Sequence, residues 1–211
     1  MDRLTREHLT TLNARAADDD DEEQGPLSRP DGALDKQLID ARTLLVHGAV
    51  TDKLAAYCAT RLMVMEKEDP ERPITVMINS PGGSADSGFA IYDMLRFVRA
   101  PVITVVNGLC ASAGILIQLA TAKERRFSTP ESRFLIHQPS TAGFGTASDL
   151  DITAREVLKL RQRYNRIISD ATGQDPERVL EDARRDFWLN ADEAKEYGLI
   201  SKVVVSRSEL D

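Results

Sequence analysis

Cysteine is nearly missing from this chain of 211 residues, with Cys58 and Cys110 the only two. Both lie in apolar surroundings and read as reduced core residues, which excludes a disulfide framework. Histidine is almost as sparse, at His8, His47 and His137. No Cys/His cluster has metal-ligand spacing, so no structural zinc or other metal site is expected. No apolar run approaches the roughly 20 residues of a membrane span. The stretch from Met1 to Arg15 is polar and lacks the apolar core of a secretion signal. A cytoplasmic location without a membrane partner is the expectation. Positive charge is also short: 27 Lys and Arg against 34 Asp and Glu give a net charge of -7, and the pI is near 5.1. That balance argues against a nucleic-acid partner held through its phosphates.

What is present suits one α/β domain able to bury a substantial core, with 42% hydrophobic and 29% charged residues. Residues 1–33 stand apart. Asp18 to Glu23 is an unbroken acidic run, followed by Gln24-Gly25-Pro26 and Arg29-Pro30-Asp31-Gly32. Like charges repel and little apolar surface offsets ordering, so this stretch reads as a flexible acidic tail, a removable pro-segment or a partner-binding arm. Folded structure is expected over 34–205, with 206–211 as a short C-terminal tail.

Within that domain, Thr43 to His47 reads as a strand ended by Gly48, with His47 facing solvent or a neighbouring backbone group. Thr51 or Asp52 caps a helix carrying Leu54, Cys58, Leu62 and Met65 on one face. Ile74 to Ile78 is a second strand, apolar enough to be covered on both faces. It runs into Asn79-Ser80-Pro81-Gly82-Gly83-Ser84, where paired glycines allow positive φ and close backbone approach. A helix over about Asp86 to Val98 and a strand over Val102 to Val106 follow. This alternation gives right-handed βαβ crossovers and a parallel sheet. Strand candidates at Arg126-Phe127-Ser128 and Arg133 to His137 precede a long helix from about Ala147 to Asp170. Such a helix is long for this domain and suits a projection that packs against another subunit. Asp175-Pro176 and Asn190 with Glu193 start two short helices, and Val203 to Val205 is a last strand.

The chemistry concentrates at Asn107-Gly108-Leu109-Cys110-Ala111-Ser112-Ala113-Gly114, between a strand and an apolar helix. A serine there has an accessible Oγ next to unpaired helix-start N–H groups, the conditions for a nucleophile and its oxyanion. The plainer alternative is that Ser112 only caps the helix. A serine nucleophile needs a base, and the base an orienting acid. His137 ends an apolar strand before Pro139 and sits at an element edge; Asp186 abuts Phe187-Trp188-Leu189. Each also has a structural reading, as a satisfied edge histidine and as the partner of a nearby arginine.

Taken together these stretches resemble the Clp protease proteolytic subunit, the ClpP serine peptidases, over roughly residues 38–205. Asn79 to Gly83 resembles the family's glycine turn, Ala111 to Gly114 its nucleophile turn and Ser132 to Pro139 the segment with its histidine. Ala154 to Leu158 resembles its handle helix, and Arg185 to Leu189 the segment with its aspartate. The resemblance implies a ClpP/crotonase-like α/β fold of repeated βαβ units with a protruding long handle helix. It implies Ser112 as nucleophile, His137 as general base then acid, and Asp186 as the residue holding the imidazole. Gly83 and Ala113 would supply the oxyanion hole, while Ser84, Ser140 and Thr141 would line a peptide docked as an added strand. It further implies stacked heptameric rings, homomeric or mixed, enclosing the active sites. A hexameric AAA+ unfoldase would feed unfolded proteins or peptides to them. No cofactor is expected on this chain, ATP being used by the unfoldase. The sequence departs from the family at Cys110, where alanine is usual, at Trp188, where phenylalanine is usual, and in the tail before Leu34. The alternatives are a crotonase-type acyl-CoA enzyme and a dormant ring subunit.

Overall fold

The computed structural model describes residues 32–140 and 144–210. The expected tail therefore lies outside the described residues up to position 31. Helix α1, Gly32–Asp40, comes first, and residues from Gln37 onward form one compact unit.

Seven strands follow: β1 (Thr43–His47), β2 (Ile74–Ser80), β3 (Val102–Ala111), β4 (Arg126–Ser128), β5 (Arg133–Ile136), β6 (Phe187–Asn190) and β7 (Lys202–Val203). Between them run α2 (Asp52–Glu68), α3 (Ala85–Phe97), α4 (Ala113–Leu119), α5 (Ala147–Thr172), α6 (Pro176–Asp182) and α7 (Ala191–Tyr197). The sheet has the order β1-β2-β3-β4-β7, all parallel, as crossover helices require. β1 and β2 alternate strictly. Leu44, Val46, Ile74, Val76 and Ile78 are fully buried in the main core, together with Leu62, Met65, Ile115 and Leu116 from the helices. Thr75 and Met77 are only half-buried, so β2 is not covered equally on both faces as its composition suggests. The second face carries a small satellite cluster instead, Val105, Phe127 and Val204 with Met77, Ile103 and Leu210. Leu210 reaches it from a capped turn, Arg207–Glu209, so the C-terminal tail is held to the sheet as far as residue 210. Glu209 holds that turn through the Val205 and Ser206 amides and Lys202 Nζ.

One irregularity shapes everything near the site. Ile78 pairs with Val106, but Ser80 pairs with Cys110, so Asn107, Gly108 and Leu109 stand against the single residue Asn79. Asn79 Oδ1 accepts the Leu109 N–H at 3.0 Å, and Gly108 takes a φ of +124° against it. Before this break β3 pairs with β4; after it, β3 pairs with β5. Ser132 secures the changeover, donating to Val106 O at 2.9 Å and accepting from the Gly108 N–H at 3.4 Å. β3 therefore runs five residues past the strand end expected at Val106, and delivers Ser112 beside a new strand rather than beside β4. β5 in turn carries β6 as an antiparallel partner, a strand the alternation of residues did not announce.

The long helix α5 has 26 residues, about 39 Å at 1.5 Å per residue. A Thr146/Asp149 capping box starts it and Gly173, at φ +78°, ends it. Its C-terminal half is buried through Tyr164, Ile167 and Ile168, whereas Leu150, Ile152 and Leu158 on its first half are exposed.

Candidate active site

Ser112 occupies the turn between β3 and α4 with φ 54° and ψ -120°, an uncommon conformation for a residue with a side chain. Its N–H donates to Leu135 O at 2.9 Å, and its carbonyl accepts from Ile115 N at 3.0 Å and from the Tyr164 hydroxyl at 3.2 Å. The backbone is thus held on both sides, while Oγ makes no capping bond to the helix. The capping alternative therefore fails: φ near +54° turns the side chain away from the α4 amides. Ala113 is the first residue of α4, so its N–H has no acceptor within the helix.

Gly82 and Gly83 follow β2 with φ +88° and +146°. A Cβ at Gly82 would lie 2.6 Å from Ser112 Cβ and 3.0 Å from Ala113 N, so glycine is what lets the two turns touch. A Cβ at Gly83 would lie 2.4 Å from Val50 O. Val50 brackets Gly83: its N–H donates to Gly82 O and its carbonyl accepts from Ser84 N, both at 2.8 Å.

His137 and Asp186 come together through strand register. Ile136 pairs with Phe187 at the end of the antiparallel β5–β6 ladder, so the next residue on one strand faces the preceding residue on the other. His137 Nδ1 lies 3.9 Å from Asp186 Oδ1, an ion-pair separation longer than a hydrogen bond. The side chains are 30% and 68% exposed. Among the described residues the charge partner of Asp186 is thus His137, not an arginine. Gln138 anchors this edge, donating from its N–H to Ala183 O at 2.8 Å and from Nε2 to Arg184 O at 3.2 Å.

A cleft of about 460 Å³ joins the two turns and His137; Asp186 does not line it. Gly83, Ser84, Ser112, Ala113, His137 and Ser140 line its polar side. Phe89, Leu116, Val157, Leu160 and Tyr164 line its apolar end. Thr141, expected beside Ser140, lies outside the described residues. His47, by contrast, is not on the cleft; the residue is half-buried, and its Nε2 is buried without a partner. Cys110 is fully buried, and burial pushes its thiol far up, so it offers no competing nucleophile beside Ser112. Among the described residues no three metal-binding side chains cluster, and no helix is long and apolar enough to cross a membrane. A second depression, of about 320 Å³, lies over β5 and β6, where Arg133 stacks 4.3 Å from the Trp188 ring; neither Ser112 nor His137 lines it.

Tyr164, on the buried half of α5, is a contact that no motif of the sequence points to. Its signal was a tyrosine, rather than an aliphatic residue, on the buried face of α5. Burial holds its hydroxyl protonated, a donor to the Ser112 carbonyl.

A strained serine at a strand–helix turn and a histidine on the same cleft, paired with a carboxylate, are the residue types a serine hydrolase uses. Comparison with known proteins narrows the class. Residues 32–207 match the Clp protease family. The ATP-dependent Clp protease proteolytic subunit 2 of Treponema denticola is 43% identical over 189 residues, 90% of this chain and 94% of that protein. Subunit 1 of Chlamydia caviae is 46% identical over 189 residues, 88% of this chain and 98% of that protein. Among solved structures, a point mutant of ClpP1 from Listeria monocytogenes superposes with a TM-score of 0.79 at 41% identity, covering 84% of this chain and 99% of that one. The chain belongs to the Clp protease family, whose proteolytic subunits are serine endopeptidases. Neither a crotonase-type acyl-CoA enzyme nor a dormant subunit finds support in these relatives.

Proposed function

We propose that this chain hydrolyses peptide bonds with Ser112 as nucleophile, His137 as proton carrier and Asp186 as the group that orients the imidazole. The single observation that carries this reading is the position of Ser112: a free Oγ in a strained turn, on one cleft with His137 and against the Gly82–Gly83 turn. In acylation, Ser112 Oγ attacks the carbonyl carbon while His137 takes its proton. The carbonyl oxygen becomes an oxyanion facing the Gly83 and Ala113 N–H groups; losing one such donor typically costs about 3 kcal/mol. The C–N bond breaks as His137 returns the proton to the leaving amine. Water then attacks the acyl-serine with His137 again as base, releasing the acid and restoring the hydroxyl.

The peptide adds as a strand between the Gly83–Ser84 backbone and Ser140, so main-chain bonds supply most of the recognition and sequence preference is broad. The apolar end of the cleft accepts a side chain. Exposed Leu150, Ile152 and Leu158 on the first half of α5 support a handle through which stacked heptameric rings meet. A hexameric AAA+ unfoldase, which consumes the ATP, delivers unfolded protein to that chamber in the cytoplasm. The chain itself uses no cofactor.

The test is labelling with a fluorophosphonate together with solution mass. Modification of Ser112, absent in Ser112→Ala, on a particle of many subunits is the expected result. A label elsewhere, or a labelled monomer, overturns the corresponding half of the reading.

A further inference from the structure

Gly83 is gripped by a short hydrogen-bonded chain that begins outside the cleft, at Asp52 and Ser87, and reaches it at Ser84, and we infer that Asp52 is a positioning residue for the Gly83 oxyanion donor, acting through Ser87. The inference rests on Gly83 being such a donor. Val50 holds Gly83 through the two 2.8 Å bonds on either side of it, and the 2.4 Å a Cβ would leave shows how close the backbones run. Where Val50 sits, Gly83 sits. Val50 leads directly into Thr51, the N-cap of α2, and Asp52, its first helical residue.

Asp52 does not stay on its own helix. Its Oδ1 accepts from Ser87 Oγ at 2.5 Å, a charge-assisted bond to a residue 35 positions away. Ser87 is 2% exposed, in the first turn of α3. Its Oγ lies 3.0 Å from Ser84 Oγ, which caps the same helix by accepting the Ser87 N–H at 3.2 Å. Ser87 has one hydroxyl proton, and a carboxylate can only accept, so that proton belongs to Asp52. The arrangement closes a loop: Val50, Asp52, Ser87, Ser84 and back to Val50, with Gly83 inside it. One side is main-chain and the other is the carboxylate bridge. Two helix starts, each favouring negative charge, face the same carboxylate.

The consequence is catalytic rather than architectural. Asp52 is exposed and is no member of the hydrophobic core, so its removal takes no apolar side chain from it. What it loses is the stop that keeps Val50, and with it the Gly83 amide, from sliding. A displaced donor weakens the oxyanion more than the bound substrate, because the charge exists only beyond the ground state.

The experiment compares Asp52→Ala, Ser87→Ala, the double variant and Asp52→Asn in the full chain. It measures kcat and KM on a short fluorogenic peptide, and inhibition by a peptide aldehyde, which forms a tetrahedral adduct. Either single alanine variant should lower kcat about tenfold and weaken the aldehyde about equally, with KM within about twofold, as partial loss of one oxyanion donor implies. The double variant should lose no more than either single, since one bridge is broken once. Asp52→Asn, which keeps an acceptor oxygen, should recover to within about threefold of the parent. Losses that multiply, a KM effect without a kcat effect, or an unchanged aldehyde constant each overturn the inference. Ser87→Ala is a small buried exchange and decides the matter alone if Asp52→Ala does not assemble. A Ser112→Ala control separates the two levels: if it keeps full turnover, the assignment of the site fails, whereas its inactivity beside unaffected bridge variants sinks the bridge only.

Discussion

The two halves of the site are built to different tolerances. On one side, Ser112, Gly82 and Gly83 are fixed by main-chain bonds of 2.8–3.0 Å, by Tyr164 from a distant helix and by contacts closer than any side chain would allow. On the other, His137 and Asp186 stand 3.9 Å apart at the open end of a four-residue ladder, the carboxylate two-thirds exposed. The half proposed to hold the oxyanion is thus preformed in a single chain, while the half proposed to handle protons is gathered but not closed. Electrostatic stabilisation demands donors that need no reorganisation at the moment of reaction. Proton transfer tolerates a pair that tightens when substrate or a neighbouring subunit arrives.

This contrast can be broken or sharpened by substitution. Ser112→Ala should show the largest effect, a loss of roughly 100,000-fold in peptide hydrolysis, with circular dichroism and solution mass unchanged. Gly82→Ala should follow, at about 100- to 1,000-fold in kcat, because a Cβ 2.6 Å from Ser112 Cβ must separate the two turns. Steady-state kinetics and a crystal structure check it; a variant with parental kcat would show that the turns need not touch. Asp186→Asn should cost about 100-fold, less than the roughly 10,000-fold seen when a buried triad acid is exchanged, because solvent already shares Asp186. A loss as deep as the buried case would mean the pair closes fully in the working enzyme. Tyr164→Phe should be mildest, about three- to tenfold in kcat, the range of one neutral hydrogen bond. The thiols mark the floor of the scale. Burial pushes Cys58 up to about 12 and Cys110 further, so neither should react with a thiol reagent until the protein is unfolded.

The preformed half is also the half that is legible in the sequence. Paired glycines after an apolar strand, and a serine among small residues before an apolar helix, advertise close backbone approach through local composition alone. The capping residues Thr51, Asp175 and Asn190 and the length of α5 are legible for the same reason, since caps and helical periods are local. The rest depends on pairing across distance. Nothing in Phe187-Trp188-Leu189-Asn190 announces a strand antiparallel to Arg133–Ile136, because no alternation shows in four residues. The three residues opposite Asn79 are invisible until the strands are aligned. The Asp52–Ser87 bridge joins two residues that each look like ordinary first-turn helix residues. As for the last turn, 206–210, its few polar residues suggest an end, whereas Leu210 finds the satellite cluster only once the sheet exists.

The changeover of β3 from one neighbour to the other has a consequence for the chain's early life. The residues proposed as nucleophile, base, acid and oxyanion donor sit on segments that meet only when two parallel pairings and one antiparallel pairing are complete, contacts that form slowly because their loops are long. On that reading no fragment emerging during synthesis carries a competent serine, and the polypeptide would acquire the power to cut proteins last, after it has itself ceased to be an unfolded one.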